Sequence, residues 1–476
     1  MTKTIPQSDG LPFLKHTFDM SVRPIETMVR MQTAYPDIVE MHFPGNASMY
    51  YVSNPELIEG VLVAKQKSFQ KDAFLKEYAS PVFGNGLLSS DGEFWLRQRR
   101  MAQPAFHRQR IEAYGHIIAE HTKNFLASIV PGSAFNLTKA MNQLTLQIVA
   151  ETLFGQVSET HKHNISDALD AVMDQFSSDG LGLLSQLTKI PFTKARNQRY
   201  QEATKTLDET IIAIIQERMQ SSAEQHDLLG MFLAARDDDN QPMSIRQLSD
   251  ECKTMFLAGH ETTALTMTWM MWVLLQHPQV LHKLQVEVRD VLGARTATMA
   301  DMAQLTYTEQ VIREAMRLYP PAYTISRHAV EPVEIGGYQI SAHKDVVMSQ
   351  FAMHRDARWY PNPNAFIPER WTADFRAGLP KYAYFPFGGG PRLCIGQQFA
   401  LLEATIILTK MMQHGSWALP GWQRIHAQPS ITLRPKPAVM IKLIHKGTAA
   451  DDSSSSLPHH IDYDDSNGDG GGDGGD

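Results

Sequence analysis

The sequence predicts a mainly α domain with a small β-rich lobe. Helical periodicity runs from Asp91 to about Met412, broken by few turn signals. Three of the segments carry recognisable start and stop signals. Two short strand-rich stretches, 36–64 and 333–351, flank the helical part and are too small for a sheet-based core.

In chain order, residues 1–35 read as a lead-in with little periodicity. IVEMHF and SMYYVS then form a strand pair around the turn Pro44-Gly45-Asn46, followed by a short helix. A long helix opens at Ser244, with Gln247 three residues on as a capping box, and runs to about Gln276. A second opens at Thr306, with Glu309 as its expected box, and stops before Pro320-Pro321. VEIGGYQI predicts a hairpin turning at Gly336-Gly337, with DVVMSQF as a further strand. Ala357 to Pro391 is irregular and rich in Pro, Arg and aromatics, and a loop that long is usually functional. A third helix follows Gly396 and ends at Gly415, read as its left-handed C-terminal glycine. These elements place one folded domain over residues 36–448.

The net charge of −7 misleads, because Ala449 to Asp476 holds eight Asp and no Lys, Arg or Glu. Without that tail, 44 basic residues face 43 acidic ones, and nothing points to nucleic acid. The Ser/Gly/Asp tail 449–476 cannot bury enough apolar area to order itself, so disorder is expected. Ala264 to Leu275 is the most apolar run, about 12 residues where about 20 are needed to span a bilayer. Only Cys252 and Cys394 are present, with neither a disulfide framework nor zinc spacing. With no secretory signal, a reducing cytoplasm is the expected location.

Cys394 stands in Phe387-Gly388-Gly389-Gly390-Pro391-Arg392-Leu393-Cys394-Ile395-Gly396. A lone cysteine in a Gly-rich turn is more often inert than reactive. Here, however, the thiol lies directly before a helix and two residues after an arginine, and both favour the thiolate. Glycines let the backbone approach a flat ligand, and free amides there can donate to sulfur. A phosphate-cradling loop would end in Gly-Lys-Ser/Thr, which is absent. Mid-helix, Ala258-Gly259-His260-Glu261-Thr262-Thr263 carries a helix-weakening glycine and a hydroxyl able to bond back one turn. A zinc-protease reading of His260-Glu261 fails because position 264 is Ala.

The ten residues around Cys394 match Phe-x-x-Gly-x-Arg-x-Cys-x-Gly at every fixed position, so the chain resembles the cytochrome P-450 superfamily. Four more motifs stand in the family's order: Trp95-x-x-x-Arg99, the acid-Thr pair Glu261-Thr262, Glu314-x-x-Arg317, and Pro368-Glu369-Arg370-Trp371. The resemblance implies the cytochrome P-450 fold, with haem b between the long central helix and the cysteine loop and O2 as co-substrate. It makes Cys394 the axial iron ligand. Arg392, Trp95, Arg99 and Arg327 would meet the propionates, Phe387 would pack near the sulfur, and Gly388, Gly396 and Ala258 would line the ring. Glu261 and Thr262 would relay protons where the helix widens. Glu314, Arg317 and Arg370 would form a buried structural network, while His260 would face away from the iron or pack beside it.

By position in the family, Phe74, Phe83, Leu87, Leu257, Ala322, Thr324, Ile325 and Thr432 would line a substrate pocket. Their apolar character favours a fatty acid, alkane or terpenoid. No membrane anchor or fused redox domain is read, so electrons would come from a ferredoxin and its reductase, or a flavodoxin-type donor. Arg97, Arg99, Arg100, Arg108 and Arg110 form a basic run expected near the face that meets that donor, with Arg99 pointing inward to the haem. The leading expectation is a monooxygenase. A peroxide-using or rearranging haem-thiolate enzyme is an alternative, disfavoured by Thr262. A non-enzymatic haem sensor is a third.

Overall fold

Ser244 opens the longest helix. Its hydroxyl accepts from the Gln247 amide (3.2 Å), and the Gln247 side chain accepts from the Ser244 amide (2.8 Å), the expected capping box. This central helix, Ile245–Leu274, is buried on every side over its second half. Met267, Trp269, Met270, Met271 and Trp272 face inward all round, as an all-apolar helix must. It packs against the helices Leu137–Phe154, Lys194–Gln220, Thr306–Leu318 and Gln397–His414. Trp269 stacks on Tyr319 at 4.1 Å between ring centroids and donates to the Leu433 carbonyl at 2.9 Å. That contact ties the helical core to the C-terminal strands.

This computed structural model describes residues 3–8, 18–43, 47–72, 76, 80–155, 157–178, 194–221 and 227–447. The expected turn at 44–46, Phe74 and the acidic tail lie outside them.

The β-rich lobe is a five-stranded sheet in the order Ile38–Phe43, Ala47–Val52, Asp345–Met348, Ile325–Ala329, Phe69–Gln70. The second and third strands are parallel and the other pairs antiparallel. The expected hairpin forms between Val333–Ile335 and Tyr338–Ile340.

Three local expectations change. Glu309 does not cap the Thr306–Leu318 helix; it pairs with Arg313 and Arg376. The cap is Glu287 from the preceding helix, Pro278–Leu292, whose carboxylate accepts from the Tyr307 and Thr308 amides at 2.6 and 2.7 Å. A tertiary carboxylate thus outcompetes the local one. Gly415 is not left-handed but extended, and begins the strand Gly415–Ala418. It is glycine because a Cβ would lie 2.1 Å from the His445 carbonyl oxygen. The lead-in, finally, contains the helix Pro24–Ala34, with Ile25, Met28 and Met31 buried. Its few turns leave too short a pattern for periodicity to register.

Candidate active site

The cysteine loop is built from its glycines outward. Gly390 takes φ +66°, and a Cβ there would lie 2.0 Å from the Leu62 carbonyl oxygen, so no other residue fits. Gly388 is also left-handed, and its amide donates to the Phe385 carbonyl at 2.9 Å. The loop closes through Cys394, whose amide donates to the Phe387 carbonyl at 3.0 Å. Cys394 then precedes the Gln397–His414 helix.

The Cys394 side chain keeps exposed surface, yet enough protein surrounds it that burial pushes the thiol up, so the sulfur opens into a recess. The Gly396 amide and the Arg99 guanidinium oppose the burial and favour the thiolate.

Around that recess the cations outnumber their partners. Arg392 bonds the Asp91 carboxylate (2.5 Å) and the Ser90 carbonyl (2.9 Å), and lies 4.2 Å above the centroid of Trp95. Lys76 pairs with Asp91 at 3.0 Å. Burial holds the Lys71 amine well below the usual range, with Arg327 and Arg392 adding to the effect and Asp91 and Asp72 opposing it. Arg327 is buried, and among the described residues its one hydrogen bond goes to the neighbouring Ser326 carbonyl. Burial, then the nearby Arg392, lower its pKa to about 10. Arg392, Arg327 and Lys76 therefore face Asp91 and Asp72 with the Lys71 amine beside them, a basic setting suited to a group bearing acids.

Two expected neighbours of a haem ring also leave space for it. Ala258 is exposed within an otherwise buried stretch of the central helix. A Cβ on Gly396 would meet protein no nearer than Phe106 at 4.0 Å, so its glycine answers no protein contact. The residues present fit a flat, dianionic, thiolate-seeking group.

The acid-threonine pair sits differently from expectation. Thr262 Oγ1 donates to the Ala258 carbonyl at 2.9 Å, the back-bond read from the sequence. The helix nevertheless runs unbroken through Gly259, so the expected widening is absent. Gly259 answers packing: a Cβ would lie 3.1 Å from Val149 of the neighbouring helix. Glu261 is buried and held by Arg434, Nε at 2.7 Å, and by the Thr432 hydroxyl at 2.9 Å. Thr432, expected in the pocket, is occupied as a donor to Glu261. His260 is buried, with its Nδ1 3.0 Å from the Phe256 carbonyl oxygen.

Glu314, Arg317 and Arg370 are brought together. Arg317 grips Glu314 through two bonds of 2.8 Å, and Arg370 adds a third at 3.0 Å. Trp371 Nε1 and the Ile367 amide also donate to Glu314, at 2.9 Å each. Arg317 further donates to the carbonyls of His354, Pro363 and Ala365, pinning the irregular segment ahead of the cysteine loop.

Of the expected pocket residues, Phe83, Leu87 and Leu257 share the main apolar core. Ala322, Thr324 and Ile325 are partly buried, and Thr324 donates to the Met348 carbonyl. Sequence reasoning missed Lys71, Asp91 and Arg434. Each acts on a partner distant along the chain, and nothing in its own neighbourhood marks it.

Comparison with known proteins agrees with this architecture. The cytochrome P450 family model matches residues 5–442. Cyclooctatin synthase of Streptomyces melanosporofaciens is 32% identical over 91% of this chain and 92% of its own length. Cyclooctat-9-en-7-ol 5-monooxygenase of the same organism is 32% identical over 86% of this chain and 87% of its own. Pentalenene oxygenase of Streptomyces avermitilis is 30% identical, covering 90% and 92%. A crystal structure of the cytochrome P450DA haem domain superposes with TM-score 0.82, covering 93% of this chain and 98% of that one; at 23% identity it shows the fold. With the family matched across residues 5–442, the chain belongs to the cytochrome P450 family and is a haem-iron oxidoreductase of the monooxygenase class.

Proposed function

We propose that the protein inserts one oxygen atom of O2 into a hydrophobic, terpenoid-like substrate, using electrons from a separate ferredoxin-type donor. The observation that carries this reading is Cys394, which lies between the glycine-rich loop and a helix with Arg99 favouring its thiolate and the buried Arg327 close to Arg392. The substrate class follows the relatives, whose names are those of cyclooctatin and pentalenene oxygenases. The apolar Phe83, Leu87 and Leu257 suit such a substrate.

Haem b bound in this site would supply the two-electron activation of O2 that puts one atom into a C–H bond and the other into water. Cys394 Sγ would hold the iron. Arg327 and Arg392 would meet the propionate charges with the Lys71 amine beside them, Trp95 would support the Arg392 plane, and Arg99 would favour the thiolate. Thr262 Oγ1 exchanges its bond to the Ala258 carbonyl for a proton hand-off at the oxygen site. Glu261 resupplies that proton after loosening from Arg434. Leu257 and Leu87 exclude water from the reacting carbon.

Thr262→Ala tests the relay. It is expected to keep the haem spectrum, the substrate-induced spin shift and reductant consumption, but to release mostly hydrogen peroxide. Proton-transfer assistance is worth about 10²–10⁴-fold, so product yield falls visibly. A fully coupled variant would make Thr262 a structural residue and favour the peroxide-using reading.

A further inference from the structure

The central helix carries two more buried acids that the chemistry at Cys394 does not use. Asp250 and Glu251 are 5% and 1% exposed. Both reach the loop 84–90. Asp250 Oδ2 accepts from the Asn85 amide at 2.9 Å, and Glu251 Oε2 accepts from the Leu87 amide at 3.1 Å. The loop lies so close that a Cβ on Gly86 would meet Thr254 Oγ1 at 2.2 Å. Its far end, Ser90-Asp91, holds Arg392 of the cysteine loop. Glu251 and Ala258 are seven residues apart on one helix face, about two turns or roughly 10 Å. The loop therefore walls the same stripe that carries Ala258 and Thr262.

The two acids differ in their surroundings. Asp250 has cations on its other oxygen, Lys253 at 3.0 Å and Arg246 at 3.3 Å. Glu251 has no ion-pair partner among the described residues, and its Oε1 has no hydrogen-bond partner. The other charges nearby are already paired. Asp208 of the Lys194–Gln220 helix binds Lys253 and Arg246, and Arg218 of that helix binds Asp227 at 2.7 Å. Cys252, next along the helix, is buried and its thiol is pushed up. The helix Ser80–Phe83 brings no charge.

We propose that Asp250 and Glu251 are positioning residues for substrate, docking the 84–90 loop on the central helix, and that the Glu251 half of the dock closes with uptake of one proton. The proposal rests on the reading above that this loop walls the substrate space.

The direction follows from the two states. Docked, burial and then the Asp250 charge push the Glu251 carboxyl up to about 8, against the Leu87 amide, which lowers it. Lifted, the carboxyl meets water and returns towards its ordinary value of 4.5. Between these values the docked state binds the extra proton. Docking is therefore favoured as pH falls, and opening rises with pH by up to about tenfold per unit. Above about 8 both states are ionised and the dependence ends.

Hydrogen exchange of peptides covering 83–90, in full-length holoenzyme and corrected for intrinsic rates, reads the opening. In the native protein it is expected to grow by up to about tenfold per unit from pH 6 to 8. Glu251→Gln keeps an acceptor for the Leu87 amide but binds no proton, so its exchange becomes flat with pH. Asp250→Asn loosens the loop at every pH and keeps a slope, which ends at a lower pH because a like charge beside Glu251 is gone. A flat native profile, or an unchanged slope in Glu251→Gln, overturns the proposal. Association of a sesquiterpene hydrocarbon, followed by the spin shift, is expected to rise in parallel with opening. Opening that follows Glu251 without changing association overturns the positioning role. The haem-thiolate spectrum of each variant separately reports whether the proposed function itself stands.

Discussion

Glu314 is the residue on which most of the region around the cysteine loop depends. Five donors converge on its carboxylate, and the side chains of Glu314 and Arg317 are fully buried. Glu314→Ala leaves two guanidinium groups without their counter-charge, and removing one partner of a buried pair typically costs about 3–5 kcal/mol. Chemical denaturation is expected to show that loss, together with weakened haem retention, because Arg317 also pins Pro363 and Ala365. A loss under about 1 kcal/mol would mean the network is dispensable. The spacing of Glu314 and Arg317 was visible in the sequence, since residues three apart share a helix face. Trp371 as a fourth arm was visible only as a neighbour of Arg370. Glu261 shows the opposite. Its place in the helix was legible, but its capture by Arg434 was not, because a strand arginine 173 residues away carries no local mark.

At the scale of the element, the helix Thr306–Leu318 shows where local signals lose. Its first residue was legible, but its cap was not. The Glu287 carboxylate bonds two amides and two hydroxyls at that terminus. An N-terminal cap is worth about 1–2 kcal/mol, so Glu287→Ala should lower the unfolding free energy by that much in chemical denaturation. Glu309→Ala removes only surface pairs and should change stability by less than about 0.5 kcal/mol. The reverse order would restore the local capping box. The central helix, by contrast, was legible from Ser244 onward because its cap is local and its apolar half is long. Its unbroken course at Gly259 was not, since a glycine that relieves packing and one that weakens a helix look alike in sequence.

Across the whole molecule, the basic run from Arg97 to Arg110 divides. Arg97 pairs with Asp237 at 2.6 Å and Arg100 with Asp238 at 2.8 Å, while Arg108 and Arg110 are exposed and have no ion pair among the described residues. If the proposed electron donor is acidic, these two are the ones expected to steer it. No helix among the described residues is long and apolar enough to cross a membrane. The mainly α architecture and the β-rich lobe were legible because periodicity survives at that scale. The packing of the 84–90 loop on the central helix was not, because it rests on backbone amides, which every residue carries. The account as a whole depends on which sulfur holds the iron. The reduced carbon monoxide complex of the purified protein measures this directly. It is predicted to show the strongly red-shifted Soret band of thiolate ligation, kept in Cys252→Ala and lost in Cys394→Ala. A band that survives Cys394→Ala, or disappears with Cys252→Ala, would contradict the assignment.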